Sequence, residues 1–119
     1  MNAQQLIEQI RKARALAVTV GAWTFHARRP KDLEVALLTR DERTTGELAV
    51  RFVEGWDGIR VCDLVGGSDE TAAEFDRELW EEFVADRPEV YGPVGQAIME
   101  AYVAHGKLQE EARKNSSGG

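Results

Sequence analysis

Few side chains in this sequence are of types that make or break bonds, and their spacing limits what chemistry is open to them. The histidines are His26 and His105, and the one cysteine is Cys62. In WTFHA, residues 23 to 27, His26 falls on the same strand face as Thr24 and near Thr19, which sets a base beside hydroxyls as a nucleophile relay would need. No glycine-flanked nucleophile elbow and no acid at a fixed spacing go with it, so the sequence does not support a hydrolase. Glu81 and Glu82 are neighbours, and on a helix neighbours point about 100° apart, so they cannot face one another as acid and base. They read as a solvated face. A lone cysteine makes no internal disulfide, and two histidines with it offer no metal-ligand spacing. Cys62 reads as a small buried hydrophobe. The VGG at 65 to 67 lacks the longer glycine spacing and the lysine of a phosphate loop and reads as a turn. The chain is expected to be non-enzymatic and to need no cofactor or metal.

The elements that would position these residues begin with a helix over residues 3 to 14, where Leu6, Ile7, Ile10 and Ala13 recur at helical spacing. LAVTVGAWTFHA, residues 16 to 27, alternates apolar and polar residues around Gly21-Ala22. With those two at the centre of a type II′ turn, Val20 faces Trp23, Val18 faces Phe25 and Leu16 faces Ala27, all on one side. Thr19 with Thr24 and Ala17 with His26 take the other. A lone hairpin is marginal in water, so helices must cover its apolar face. One is expected from Pro30 to about Glu42, with Asp32 and Glu34 at its positive end. A second, capped by Thr44 with Glu47, would carry Leu48, Ala49, Phe52, Val53 and Trp56 as one stripe. A hairpin about Asp57-Gly58 is the alternative for that stretch; it would set Phe52 against Asp63 and Arg51 against Leu64, a clash of faces that favours the helix. IRVCDLV, closed by Gly66-Gly67-Ser68, is a candidate third strand. Asp76 reads as the cap of a helix bearing Leu79, Trp80, Phe83 and Val84, with Phe75 and Trp80 spaced as a hydrophobic staple. Pro88 ends it. A last helix starts near Pro88 or Pro93, with Val94, Ala97, Ile98, Ala101 and Tyr102 as its apolar face; it stops at Gly106 or frays onward to Lys114, and the tail NSSGG is expected to be disordered. The class is α+β: an N-terminal hairpin, three-stranded if IRVCDLV joins it, covered by four to five helices, with a helical C-terminal half. Residues 1–106 form a single domain, and residues 107–119 a fraying helix end and tail.

A length of 119 residues suits one core, and 43% hydrophobic with 30% charged residues suits a water-exposed globular chain. No apolar run approaches the roughly 20 residues that span a bilayer. MNAQQLIEQIRKAR has polar residues where a secretory signal would be continuously apolar, so a cytoplasmic location is expected. Charge is unevenly divided. Through Lys31 the chain carries Arg11, Lys12, Arg14, Arg28, Arg29 and Lys31 against one acid, Glu8, whereas most of its 21 acidic residues follow, within a net charge of -6. A net acidic chain argues against nucleic acid; the basic start would instead meet an acidic portion of another copy. Arg28, Arg29 and Lys31, with Glu81 and Glu82, are the candidates for that self-association. Trp23, Trp56 and Trp80 are expected in the core more than at an interface.

With FVEGWDGI (residues 52 to 59), FDRELWEEFVADRPEVYGPVGQAIMEAY (75 to 102) and VGAWTFHARRPKDLE (20 to 34), the sequence resembles the tail assembly chaperones of long-tailed bacteriophages. The likeness lies in a hairpin start, an Arg-Pro helix opening, a Phe-Val-x-Gly-Trp-x-Gly segment and a helix-Arg-Pro-helix ending. It leaves out the N-terminal helix and the residues after Gly106. It implies a non-enzymatic assembly factor of the host cytoplasm. Such a factor binds the long, aggregation-prone tape measure protein, keeps it soluble, often self-associates around it, and is absent from the mature virion. In several members a frameshifted, longer product recruits the tail tube protein; the resemblance makes this chain the short form. The alternative is a structural virion component, a head-tail connector or tube-associated protein. Trp56, Ile98 and Tyr102 are the candidates for a groove that takes helical stretches of the client. Replacing each by aspartate is expected to abolish client capture and spare the fold.

Overall fold

The computed structural model describes residues 1–117, and Gly118 and Gly119 lie outside the described residues. Helix α1 (Ala3–Arg14) is capped by Asn2, whose side chain accepts from the Gln5 N–H at 2.9 Å while Gln5 returns a bond to Asn2. It leads directly into β1 (Ala15–Val20), which pairs antiparallel with β2 (Trp23–Arg28). The register is the expected one: Val20 with Trp23, Val18 with Phe25, Leu16 with Ala27. Gly21 has φ +60°, and among the described residues no other residue type takes a positive φ, which fits the type II′ turn.

The helix expected from Pro30 to Glu42 is two pieces, α2 (Asp32–Leu37) and a 3-10 turn (Arg40–Arg43). Thr44 does cap α3 (Thr45–Phe52), accepting from the Glu47 N–H at 3.2 Å. That helix is shorter than its apolar stripe suggested. Residues Val53–Asp57 leave it as β3, which pairs antiparallel with β2 in a sheet of order β1-β2-β3. IRVCDLV is therefore not the third strand; its residues Val61–Val65 form the short helix α4. The pairing that would have made it a strand is confined to Arg60 with Ala72, flanked by bonds from Val61 N–H to Thr71 O and from Ala73 N–H to Ile59 O, both 2.9 Å.

Asp76 caps α5 (Arg77–Val84), accepting from the Leu79 N–H at 3.1 Å, and the Phe75 and Trp80 rings sit 6.4 Å apart as the staple spacing requires. Helix α6 (Pro88–Ser117) starts at the first of the two candidate prolines and continues through Gly106. Its first half carries Val90, Val94 and Ile98 into the core and packs along α3. The contact is close: a Cβ at Gly95 would lie 2.1 Å from the Thr45 carbonyl oxygen. The core lies between the sheet and α3, α5 and α6, centred on Trp80 and Phe25, whose rings are 5.3 Å apart. Burying each such side chain contributes about 1.5–3 kcal/mol.

Candidate functional site

Two of the three residues expected to line a client groove are core residues. Ile98 is fully buried and Trp56 is 7% exposed, with its indole N–H donating to the Ala73 carbonyl at 2.8 Å. The correction follows from β3: as a strand residue paired with Phe25, Trp56 points into the aromatic cluster, 5.2 Å from the Phe75 ring and 5.8 Å from Phe83. Trp80 is buried beside it, and Trp23 is half-buried, edge-on to Phe83 at 5.5 Å.

Tyr102 is placed differently. It is half-buried on α6 and, with Met99 and Val103, forms one wall of a recess of about 180 Å³. Pro30, Val35 and Leu38 around α2, and Leu48 of α3, complete its apolar lining. Arg43 also lines it, but this guanidinium donates to the carbonyls of Val35 at 3.1 Å and Leu38 at 3.2 Å, so its donors are engaged at the C-terminal end of α2. Burial, followed by the neighbouring Asp32 carboxylate, pushes the Tyr102 phenol above its ordinary value. The recess can seat an apolar side chain beside one phenol. Close by in sequence, Leu33 and Leu37 of α2 are 69% and 76% exposed, and Val103 is 48% exposed.

A larger recess of about 600 Å³ is charged. Arg28 donates two bonds to Glu34, both 2.7 Å, and pairs with Glu54 at 3.1 Å; Arg51 pairs with Glu42 and Glu47. The Arg28 hydrogen bonds hold the Glu34 carboxyl at about 2 against an ordinary 4.5. Arg77, also on this wall, donates to the carbonyls of Val50 at 2.7 Å and Val53 at 2.8 Å, where α3 turns into β3. Of the residues proposed for self-association, Arg28 is thus engaged within its own molecule, with Glu81 in the same recess. Arg29 donates to the Pro30 carbonyl at 2.9 Å. Lys31 and Glu82 are exposed, and Glu82 borders a different recess, between α4 and α5.

His26 does stand beside hydroxyls on the outer sheet face, where the Thr19 and Thr24 oxygens are 3.2 Å apart. It also has an acid, since its Nε2 lies 2.5 Å from Asp57 Oδ2. Asp57 escapes a sequence reading that ends a helix at Trp56; the outward position of a strand would have found it. Both side chains are well exposed, at 49% and 75%, on an open face. Water has access to this pair, so it lacks the desolvation that strengthens a catalytic relay. Cys62 is half-buried in α4, not fully buried. Among the described residues no cluster of His, Cys, Asp and Glu could hold a metal ion, and no helix is long and apolar enough to cross a membrane.

Searches of protein-family models, curated proteins and solved structures find no match to this chain. The apolar recess at Tyr102 is the feature of this molecule best suited to hold a partner.

Proposed function

We propose that this chain is a tail assembly chaperone of a long-tailed bacteriophage. It binds helical, apolar stretches of the tape measure protein, keeps that client soluble in the host cytoplasm, and leaves before the virion is complete. The observation that carries the reading is the Tyr102 recess, an apolar socket left open with the exposed Val103 on its wall. An amphipathic helix could insert one or two large apolar side chains there and lay the rest of its stripe along the exposed aliphatic residues. Such binding is adaptable, as suits a long client with many similar stretches. No covalent step is involved, and the frameshifted longer form, where made, would add contacts to the tail tube protein.

The test is co-expression with the neighbouring long, helix-rich reading frame, followed by pull-down and light scattering. A soluble stoichiometric complex is expected from the native chain. Val103→Asp, which puts a charge at the recess, should lose the client while far-UV circular dichroism stays unchanged. If the partner remains insoluble and this chain elutes alone, the reading fails. Detection of the chain in purified particles by mass spectrometry would instead make it a structural virion component.

A further inference from the structure

Three cations converge where α1 runs into the sheet. Arg11 and Arg14 stand in the last turn of α1, Lys31 directly precedes α2, and all three line one recess of about 160 Å³ together with Ala15, Arg28 and Glu54. The Arg28 guanidinium is already committed, by two bonds to Glu34 at 2.7 Å and by its pairing with Glu54 at 3.1 Å. Glu54, the one acid among the described lining residues, is thereby taken up as well. The side chains of Arg11, Arg14 and Lys31 form no hydrogen bond or ion pair among the described residues. The recess therefore carries positive charge that nothing beside it balances.

Helix chemistry explains only part of this. Cations in the last turn of a helix meet its negative end, which accounts for Arg11, Lys12 and Arg14 as a set. It does not account for the burial of Arg14, which is half-buried with no carboxylate to offset its lost hydration. Nor does it account for Lys31. That residue holds the cap position of α2, where a side-chain acceptor is favoured, makes no side-chain cap bond, and sets a cation at the positive end of the helix. Arg11 and Arg14, one turn apart, also repel. Backbone bonds fix the cluster in place. The Arg29 N–H donates to the Arg14 carbonyl at 2.7 Å, and the Lys31 N–H donates at 3.0 Å to the same Glu34 oxygen that accepts from Arg28.

We infer that this recess is a binding site for a phosphate monoester, taken as its dianion by Arg11, Arg14 and Lys31. The two guanidiniums offer forks of parallel N–H donors to phosphate oxygens, and the ammonium adds a compact charge. Three unengaged cations suit a group that brings two negative charges and several acceptor oxygens, whereas a carboxylate or a phosphodiester brings one charge. Arg28, locked between Glu34 and Glu54, is a fixed floor that contributes field without giving up its bonds. At about 160 Å³ the recess is smaller than the roughly 300–1,000 Å³ of sites that enclose a whole ligand, so the phosphate enters and the molecule that carries it stays outside. The recess shares no lining residue with the one at Tyr102, so the inference stands apart from the client reading.

The test is isothermal titration calorimetry of the full chain at constant ionic strength, with inorganic phosphate, AMP, sulfate and acetate as the probes. Phosphate and AMP should bind one to one. Affinity for AMP should rise about tenfold from about pH 5 to about pH 7.5, as the second ionisation of a monoester, roughly at pH 6, completes. Sulfate, doubly charged throughout, should bind equally at both. Arg14→Gln and Lys31→Gln should each weaken binding about tenfold, the loss of one charge-assisted hydrogen bond, with unchanged circular dichroism. Lys12→Gln removes the same charge from the same turn but lies outside the lining, and should change affinity by less than about twofold. Equal binding of phosphate and AMP would show that the phosphate alone is read, and tighter binding of AMP that the nucleoside is read with it; both support the site. Four results would overturn it: no binding of phosphate at millimolar concentration, acetate binding as well as phosphate, Lys12→Gln costing as much as Arg14→Gln, or a single-stranded oligonucleotide lacking a terminal phosphate binding more tightly than AMP, which would make the surface a track for a polyanion.

Discussion

Glu34 is held by the paired Arg28 hydrogen bonds and then by the Lys31 N–H at 3.0 Å, which bring its carboxyl from 4.5 to about 2. A carboxylate with a lower pKa folded than unfolded stabilises the protein above its unfolded value, and that contribution is lost as pH falls through the folded one. Glu34→Gln should therefore flatten the loss of stability between about pH 4.5 and about pH 2. At neutral pH it should cost about 1–3 kcal/mol, toward the lower end because Glu54 still pairs with Arg28. Urea unfolding at several pH values measures both effects. Trp56 tests burial more directly. Trp56→Phe keeps most of the ring packing but leaves the Ala73 carbonyl without its donor, at an expected cost of about 1–3 kcal/mol. Trp56→Asp should abolish folding, seen as loss of the cooperative transition. It is thus unsuitable as a probe of client binding, contrary to what the sequence suggests.

Between elements, the decisive approach is that of α3 to α6. Gly95→Ala would push a Cβ against the Thr45 backbone oxygen, which cannot swing aside as a side chain can, and should destabilise by about 1–3 kcal/mol or more. Gly106→Ala meets nothing within 4 Å, so it should raise helicity by circular dichroism and favour the local helix by roughly 0.5–1 kcal/mol. The hairpin was legible to its register because two faces and one glycine turn agree on a single pairing. The caps at Thr44 and Asp76 were legible because capping is local. The third strand was not, and the reason lies at Glu54. The β2–β3 register shifts there, with His26 opposite Gly55 and Ala27 opposite Val53. This bulge lets Val53 and Trp56 both point inward, so a strand acquires inward residues three apart and imitates a helix in sequence. Helix α3 and the bulged strand then read as one stripe. The same misreading hid Asp57 from His26, whereas Trp56 is in the core as expected of the tryptophans and only its assignment to the client groove fails. Tyr102 kept its place in the candidate site because α6 is a long regular helix whose faces follow from spacing alone.

At the scale of the whole molecule the chain is extended, 63 × 37 × 24 Å with a radius of gyration of 16.9 Å, against about 13 Å for a compact domain of about 100 residues. Helix α1 and the far half of α6 lie outside the core. Removing residues 1–13 should leave the unfolding midpoint of the core almost unchanged in a thermal melt, since α1 buries none of its residues. Helix α6, 30 residues and about 45 Å long, is clamped over Val90, Val94 and Ile98 and solvated beyond Tyr102. A solitary helix must first form a costly nucleus, but here the clamped half is a nucleus that never dissolves while the core is folded. The outer turns need only propagate from it. Hydrogen exchange along this single helix should therefore change progressively, from amides that open only with the core at Val94 and Ile98 to amides that open turn by turn from Lys107 onward. The outer half is in effect a zipper with one end sewn shut, its length in solution set by temperature and by whatever lies alongside it.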